Sequence, residues 1–363
     1  MQLLTKPSLD KLSSKRLTKE QAIDLYKNAD LLELGELANE ARKKFHPDIK
    51  PVTFIIDRNI NYTNICTAAC RFCAFAFWPG DKRGYVNSYE IIQQKIKELV
   101  NLGGTQILLQ GGHNPELNID YYIDLFKKIK NDFPSVTLHA LSPSEIDHIC
   151  GVSNLDTETV LEKLIDAGLG SIPGGGAEIL VDRVRNIISP LKIKSDRWLE
   201  VMKVAQRLGL KTTATMMFGH VETLEERIEH MDRIRQLQDI TGGFTAFISW
   251  SFQKENNPIG REIEKTATGI DYLKTLAISR IYLDNIVNFQ SSWVTQGIQI
   301  GQVALAFGAN DMGGTMLEEN VVSAAGSLCK ASIEDIVRAI HSTGKDAAQR
   351  DTQYNILKVI PRK

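Results

Sequence analysis

The sequence predicts an α/β protein built as a (β/α)8 barrel, and three observations carry that prediction. Short runs of β-branched and apolar residues alternate with longer stretches of helical periodicity from residue 52 onward. Most of the strand-like runs end in a polar or glycine-containing turn before the next helix begins. The alternation repeats about eight times, and repeated strand–helix units give parallel strands joined by crossover helices.

The predicted strands share short length and β-type composition. They lie at Thr53–Asn59, Gln106–Leu109, Thr137–Leu141, Ser171–Ile172, Thr212–Phe218, Phe244–Trp250, Ile286–Gln290 and Val303–Phe307. The predicted helices between them show apolar residues at helical spacing. They span Ser88–Leu102, Ile119–Asp132, Asp156–Ala167, Ser195–Leu208, Thr223–Ile240 and Ile270–Leu283.

Capping residues support the helix starts. Ser88, Thr157 and Thr223 stand where three of these helices begin, and side-chain oxygens there accept hydrogen bonds from free backbone N–H groups. Before the barrel, Thr18 is expected to cap one helix, and Leu31–Phe45 is expected to form a second. We therefore predict a helical extension over residues 1–50, followed over residues 51–363 by a barrel with a C-terminal helical segment.

Composition excludes several classes of protein. Apolar residues make up 43% and charged residues 24% of the 363 residues, which is ordinary for a globular enzyme. The net charge of −1 gives no electrostatic reason to expect a nucleic-acid or membrane partner. No apolar run is long enough to span a membrane, and Met1–Ser14 lacks the apolar core of a signal peptide. We expect a cytoplasmic protein.

Three of the five cysteines, Cys66, Cys70 and Cys73, stand within eight residues directly after the first predicted barrel strand. Cys150 and Cys329 lie far from them and in no paired spacing. An odd number of cysteines with three in one loop is a poor disulfide framework and indicates a metal site.

The C-x3-C-x2-C spacing favours an iron–sulfur cluster with one open iron. A structural zinc site normally has four protein ligands, and only three thiols lie together here. Two alternatives stay open from spacing alone: a zinc site completed elsewhere in the fold, and three cysteines without a metal.

The turns after the predicted strands are rich in glycine and polar residues. They read Gln110–His113, Pro173–Gly176, Gly219–His220 and Asn310–Asp311. Because parallel barrel strands all end at the same face, these turns are expected to meet there with the cysteine loop.

The cysteine loop, with Phe72 before its last cysteine, resembles the signature of the radical S-adenosylmethionine (SAM) superfamily. This resemblance implies that Cys66, Cys70 and Cys73 bind three irons of a [4Fe–4S] cluster. It also implies that SAM chelates the fourth iron and is cleaved reductively to methionine and a 5′-deoxyadenosyl radical. The cofactors supply this chemistry, and the protein orients them and excludes side reactions.

Other landmarks of the superfamily follow in order. Gly111-Gly112 resembles the glycine pair whose backbone receives the methionine amino group of SAM, and Glu178 resembles the acidic residue that holds the SAM ribose or methionine. Gly219 to Glu222 resembles the segment that supports the adenine. Each has a plainer interpretation: a turn for the glycine pair, a solvated loop charge for Glu178, and a favourable charge at a helix N-terminus for Glu222.

Longer segments resemble one subgroup, which contains the futalosine-pathway enzymes of menaquinone biosynthesis and the synthases of the deazaflavin FO. The similarity is greatest to the cyclases of the futalosine pathway. It is carried by Gln110–Pro115, Ser171–Leu180, Thr212–Thr223, Thr241–Ile248, Ser292–Gly297, Gly308–Asp311, Glu318–Ser323 and Gln349–Tyr354. Ala74–Trp78 departs from the subgroup, which often has a basic or tyrosine residue there.

The resemblance implies a small-molecule substrate, dehypoxanthine futalosine. A hydrogen would be abstracted from its ribose at C4′, and the carbon radical would add to the attached benzoate ring, which then loses an electron and a proton. Ring contacts are expected from Trp250 or Trp293, and sugar hydroxyls are expected to bind Asn310, Asp311 or Glu319.

A proton acceptor near the ring is expected among His113, His220 and the carboxylates, including Asp311. Each histidine also fits a hydrogen-bonded structural role, Asn310-Asp311 also fits a loop cap, and Trp250 also fits core packing.

The subgroup also implies an electron donor such as flavodoxin or ferredoxin. Two alternatives of the same subgroup remain, an aminofutalosine synthase and an FO synthase subunit, because the cluster and SAM residues do not distinguish them. A barrel that only binds or scaffolds, stabilised by zinc or a cluster, is the alternative from another class.

Overall fold

The structure, a computed structural model, describes residues 16–362, and a parallel β-sheet forms its centre. Seven strands pair in chain order, each parallel to the next. They are β2 (Asp57–Ile60), β3 (Gln106–Leu109), β4 (Thr137–Ala140), β5 (Leu169–Ile172), β6 (Lys211–Phe218), β7 (Phe244–Ser251) and β8 (Asn288–Phe289). Strand β1 (Val52–Ile55) precedes β2 and is separated from it by Ile56 alone.

The sheet closes on itself through β9 (Asp311–Gly314). An isolated parallel bridge joins Gln290, just after β8, to Asp311. Strand β9 also pairs in parallel with β1, which runs directly into β2. The pairings thus lead round a complete ring, which confirms the α/β fold class and its barrel architecture.

The longer helices cover the outside of the ring, whereas the short helices at Trp293–Gln296 and Val321–Ala324 contribute to the wall of a cavity inside it. Fourteen α-helices lie within residues 16–362. They are α1 (Lys19–Asn28), α2 (Leu31–Lys43), α3 (Tyr89–Asn101), α4 (Ile119–Asp132), α5 (Pro143–Ser153), α6 (Thr157–Ala167), α7 (Asp182–Ile188), α8 (Ser195–Arg207), α9 (Leu224–Thr241), α10 (Gly269–Tyr282), α11 (Trp293–Gln296), α12 (Ile298–Ala304), α13 (Val321–Ala324) and α14 (Ile333–His341). Each longer helix buries an apolar face; in α3, Ile92, Ile96 and Leu99 are fully buried. Burying one such side chain stabilises the fold by roughly 1.5–3 kcal/mol.

The helix caps agree with the sequence analysis at some positions and differ at others. Thr18 and Thr223 form capping boxes at the starts of α1 and α9. Asp156 caps α6 in place of Thr157, because its carboxylate accepts the N–H of Thr159. The Ser88 side chain makes no capping hydrogen bond to α3.

Helices α1 and α2 pack against α9 and α10, so they lie on the outer wall of the barrel. The hydroxyl of Tyr26 on α1 lies 2.6 Å from Thr275 Oγ1 and accepts a hydrogen bond from Arg227 (2.8 Å). The segment Met1–Ser14, considered above for a signal peptide, lies outside the described residues. No helix within residues 16–362 has both the length and the apolar character needed to cross a membrane.

Two sequence predictions near the C-terminus were wrong. Residues 303–307 do not form the eighth strand: α12 runs to Ala304 and a turn follows it. The strand is β9, whose Asp-Met-Gly-Gly sequence has little β propensity. The predicted C-terminal helical segment is limited to α14, after which β10 (Ala347–Arg350) and β11 (Ile356–Ile360) form an antiparallel pair, with β10 parallel to β1.

Candidate functional site

The cysteine loop leaves the end of β2 and lies at the C-terminal face of the barrel. The N–H of Cys66 donates to the carbonyl of Phe77 (2.9 Å). The Sγ atom of Cys66 accepts hydrogen bonds from the backbone N–H groups of Ala68 (3.4 Å) and His113 (3.3 Å). Backbone donors to a ligating sulfur stabilise its negative charge and adjust the reduction potential of a cluster.

Burial raises the pKa of the Cys66 thiol, and it raises the pKa of Cys70 to about 12. A thiolate at these positions therefore needs a strong cationic partner, which iron or another metal supplies. Within residues 16–362, no three His, Cys, Asp or Glu side chains are arranged as ligands of a single metal ion. A cubane binds three thiolates through three different irons, so the expected cluster does not require that arrangement.

The glycine pair allows β3 to end directly beneath the cysteine loop. A methyl group on Gly111 would lie 2.6 Å from the ring of Tyr62, and one on Gly112 would lie 2.1 Å from the carbonyl oxygen of Ile65. The N–H of Gly111 donates to Glu145 Oε1 (2.9 Å). Any side chain here would push the cysteine loop away, so close approach of backbone requires glycine at both positions.

Glu145 is a buried carboxyl group at this face that the sequence analysis missed. It accepts hydrogen bonds from the hydroxyl of Tyr62 (2.8 Å) and from Gly111, and burial raises its pKa to about 7. The available signal was a capping pattern, because Ser142 caps α5 through the N–H of Glu145 three residues later.

Glu178 lies in the loop after β5 and is 5% exposed. It forms ion pairs with Lys192 (2.9 Å) and Arg185 (3.3 Å) and adopts a left-handed backbone conformation with φ of +42°. Burial alone would raise the pKa of Glu178, but the charges of Lys192 and Arg185 lower it. Lys192 also faces the ring of Phe72, with Nζ 5.5 Å from the ring centroid. Lys192 carries no motif that sequence reasoning would have found.

The segment after β6 is organised by Glu222. Its carboxylate accepts the N–H groups of Gly219 (2.6 Å) and His220 (2.9 Å) and forms an ion pair with Arg227 (2.7 Å). Burial would raise the pKa of Glu222, but His220 and Arg227 bring it to about 2. Both carboxylate oxygens are used within the loop, so the structure gives Glu222 a role in holding the turn at Gly219, whose φ is +88°.

A cavity of about 290 Å³ runs down the inside of the barrel. Its wall includes four of the predicted site residues, namely Glu178, Trp250, Trp293 and Glu319. The other predicted site residues do not form this wall: Cys66, Cys70, Phe72, Cys73, Gly111, Gly112, His113, Gly219, His220, Glu222, Asn310 and Asp311. The site thus has two parts: most of the predicted cofactor residues lie at the face of the barrel, and a substrate-sized cavity lies inside the barrel.

The two histidines predicted as bases lie outside this cavity. The ring of His113 stacks on His148 at 4.9 Å between centroids, and burial lowers its pKa to about 3. The Nε2 atom of His220 lies 3.0 Å from the carbonyl of Met217, so it is the donor there, and Nδ1 accepts the N–H of Val221 (2.8 Å). Both ring nitrogens of His220 therefore serve its own loop.

Most polar groups predicted to bind sugar hydroxyls have protein partners. Asn310 Oδ1 accepts the N–H of Phe289 (2.9 Å), and its Nδ2 donates to Asn288 (3.0 Å). Glu319 lies on the cavity wall and caps α13 by accepting the N–H groups of residues 321–323 (2.8–2.9 Å). Trp293 also lies on the wall and donates its Nε1–H to the carbonyl of Gly314 (3.1 Å).

Two carboxylates and one guanidinium lie at the closed end of the barrel, and two of these three residues, Asp57 and Arg350, line the cavity. Asp311 forms a bidentate ion pair with Arg350, with contacts of 2.5 and 3.0 Å, and also accepts a hydrogen bond from Thr53. Asp57, on the cavity wall, has no ion pair; it accepts the N–H of Met316 (3.0 Å) and has a long contact to Gln106 (3.4 Å). Burial raises the pKa of Asp57 to about 6.

Three buried polar atoms near these sites have no hydrogen-bond partner among the described residues. Asn59 Oδ1 and Thr352 Oγ1 belong to residues of the cavity wall, and Ser144 Oγ belongs to the start of α5, beside Gly176. A buried polar group without a partner is costly unless a ligand or water satisfies it. Neither Asn59 nor Thr352 could be singled out from the sequence, because Asn59 lies within a strand and Thr352 follows β10, a strand that was not predicted.

Two protein families match this sequence. Residues 60–234 match the radical SAM superfamily, and residues 241–363 match the CofH/MqnC C-terminal region. The cyclic dehypoxanthine futalosine synthase of Halalkalibacterium halodurans is 49% identical over 97% of this chain and 94% of its own length. The enzyme of the same name from Streptomyces coelicolor is 44% identical over 97% and 89%. A 5-amino-6-(D-ribitylamino)uracil–L-tyrosine 4-hydroxyphenyl transferase of Methanococcoides burtonii is 45% identical over 94% and 96%.

Among solved structures, methylornithine synthase superposes with a TM-score of 0.74 over 94% of this chain and 98% of its own. Its sequence is 18% identical, so this likeness concerns the fold alone.

Proposed function

The chain belongs to the radical SAM superfamily, and from that premise we propose that it is a cyclic dehypoxanthine futalosine synthase, acting in menaquinone biosynthesis. The observation that carries the proposal is 44–49% identity over 97% of the chain to two enzymes of that name. Members of the superfamily use a [4Fe–4S] cluster and SAM. A low-potential donor such as flavodoxin or ferredoxin is proposed to reduce the cluster.

The described residues fit these two cofactors. Three thiols stand on one loop, and two backbone N–H groups point at the sulfur of Cys66. Gly175 and Gly176 line the cavity beside Glu178; a methyl group on Gly175 would lie 2.6 Å from Gln110 Nε2, and Gly176 has a φ of +78°, so both positions favour glycine. When bound, the cluster and SAM supply the 5′-deoxyadenosyl radical that abstracts a hydrogen atom from the substrate.

We assign the SAM contacts to the residues around Glu178. Its carboxylate suits the ribose hydroxyls or amino group of SAM, and Lys192 suits the methionine carboxylate, so the observed ion pair between them is expected to open when SAM binds. The unpartnered Ser144 Oγ lies on the same side, near Gly176. Phe72 limits the movement of Lys192 by facing its ammonium group.

The cavity suits a substrate with an aromatic ring and sugar hydroxyls. Trp250 and Ile248 from β7 provide apolar wall, and Asn59 provides an unpartnered oxygen. Ordered water and loose hydrogen donors must be kept from a carbon radical, and a cavity inside the barrel limits their access. The substrate sugar is expected to lie at the Glu178 end, because its C–H bond must reach the cofactor.

The test is an anaerobic assay of reconstituted protein with SAM, dithionite and dehypoxanthine futalosine, followed by mass spectrometry. We expect 5′-deoxyadenosine together with a cyclic product that lacks two hydrogen atoms of the substrate. Formation of 5′-deoxyadenosine without that product would contradict the substrate assignment while keeping the superfamily chemistry.

One other substrate class has a specific observation in its favour. The 4-hydroxyphenyl transferase of Methanococcoides burtonii is 45% identical to this chain, as similar as one of the two cyclases. The same assay with tyrosine and 5-amino-6-(D-ribitylamino)uracil distinguishes the two, because only a transferase would join these substrates.

A further inference from the structure

Asp57 and Asp311 lie on neighbouring strands at the closed end of the barrel, and their surroundings differ. Asp311 is fully buried and takes both N–H groups that Arg350 directs at it. Asp57 also lies in the interior, 3% exposed, but no side-chain cation among the described residues forms an ion pair with it. When only one of two nearby carboxyl groups is paired with a cation, that group stays ionised and the other can exchange a proton.

The shape of the barrel keeps the Asp57 carboxylate at the cavity. A methyl group on Gly314 would lie 2.3 Å from Asp57 Oδ1 and 2.4 Å from Oδ2, so only glycine leaves room for it. The N–H of Met316 fixes Oδ1 at 3.0 Å, and Oδ2 has only the 3.4 Å contact to Gln106. One oxygen is therefore positioned and the other is available to a ligand.

Asp57 also lies at a suitable level along the barrel axis to reach the ring of a bound substrate. Asp57, Asn59 and Gln110 line it, and the β2–β3 register places Gln110 about four residues above Asp57. At about 3.3 Å per residue, these levels span roughly 13 Å along the barrel. A sugar at the Glu178 end leaves the lower part of the cavity for the attached ring.

We propose that Asp57 is the catalytic base that removes the ring proton in the cyclisation. The proposal rests on the proposed function and adds a residue that carries one step of it. After the sugar carbon has bonded to the ring, the ring radical gives its proton to Asp57 Oδ2. The remaining unpaired electron would be taken up by a one-electron oxidant of the iron–sulfur class. The ring regains aromaticity, and Asp57 becomes a neutral carboxylic acid.

The other titratable groups on the cavity wall do not compete for this role. Burial lowers the pKa of His139 to about 3, so its imidazole is a weak proton acceptor, and burial raises the pKa of Tyr354, so its hydroxyl keeps its own proton. Glu178 is ion-paired, and Glu319 accepts three backbone N–H groups. Arg350 remains charged beside Asp311.

The experiment compares wild type with Asp57→Asn, which keeps the shape and the Met316 contact, and with Asp57→Glu. Reconstituted enzyme is given substrate deuterated at the reacting sugar carbon, and deuterium in 5′-deoxyadenosine and cyclic product are both measured. For Asp57→Asn we expect deuterium transfer to continue and cyclic product to fall at least a hundredfold, since a positioned base contributes about 10²–10⁴ in rate. Asp57→Glu should recover part of the loss.

A second readout separates a base from a structural residue. Deuterium at the ring position that loses its proton should slow Asp57→Asn and leave wild type nearly unchanged, because proton removal becomes rate-limiting only in the variant. Wild-type product formation should fall as the pH drops well below about 6, because Asp57 is then mostly protonated and proton removal becomes slow, and the variant should lack this dependence.

Product formation by Asp57→Asn at the wild-type rate would overturn the proposal. So would a joint loss of deuterium transfer and product, because Asp57 would then be needed for folding or binding. If wild type itself forms 5′-deoxyadenosine but no cyclic product, the proposed function fails, and the role of Asp57 fails with it.

Discussion

The two ends of the barrel interior are built in different ways. At the open end, each group comes from a short segment just after a strand: the cysteine loop after β2, Gly111-Gly112 after β3 and Glu178 after β5. At the closed end, Asp311 binds Thr53, 258 residues away in sequence, and Arg350. The open end is therefore specified by local motifs, and the closed end depends on the ring of strands being complete. This difference indicates that short sequence segments specify the cofactor residues, whereas the residues at the substrate end come together only in the complete fold.

The largest effect is expected at the open end, from Cys70→Ala. Loss of one of three thiolates should remove the iron and its visible absorption and abolish formation of 5′-deoxyadenosine, because a cubane needs all three protein ligands. Iron analysis and an anaerobic SAM-cleavage assay check this. Cys150→Ala is the matched control: Cys150 is buried in α5, away from the loop, and its variant should keep iron and activity. Wild-type turnover by Cys70→Ala would exclude the ligand assignment.

At the closed end, Asp311→Asn is expected to cost stability. The change leaves the buried Arg350 without its carboxylate, and breaking a buried pair in this way costs about 3–5 kcal/mol of the free energy of unfolding. Urea unfolding at neutral pH measures it. Asp239→Asn, which removes a half-exposed ion pair with Arg16, should cost about 1 kcal/mol or less. Equal losses in the two variants would show that the Asp311–Arg350 pair does not stabilise the closed end.

The difference between the two ends also explains which parts of the structure could be predicted from the sequence. The strands β3 and β6 and the capping box at Thr223 follow from local patterns, and the structure has them close to the predicted bounds. The strand β9 could not be predicted, because Gly314 stands where a typical strand pattern would have an apolar residue. A side chain at this position would collide with the Asp57 carboxylate. Lys192 was missed for a similar reason: its partner Glu178 is brought to it by a loop, and no spacing rule joins them.

Glu178→Gln tests whether the open end binds SAM through its charged pair. Removing the charge should weaken SAM binding about tenfold to a hundredfold, or roughly 1.4–2.8 kcal/mol, while the cluster stays in place. Equilibrium dialysis of SAM against reconstituted, unreduced protein measures this affinity. Glu222→Gln makes the useful comparison, because the bonds of Glu222 lie within its own loop and its loss should lower stability more than SAM affinity. Unchanged SAM binding in Glu178→Gln would assign Glu178 a structural role.

The smallest effect is expected from Asn59→Ala, midway between the two ends. The oxygen of Asn59 has no hydrogen-bond partner within residues 16–362, so its removal should leave the free energy of unfolding nearly unchanged. A substrate hydroxyl would lose one hydrogen bond, worth about 1 kcal/mol, so KM should rise roughly fivefold with little change in kcat. Steady-state kinetics and urea unfolding separate these outcomes. A loss of stability with unchanged KM would mean that Asn59 supports the barrel wall, and the substrate would then have to be recognised only at the two ends.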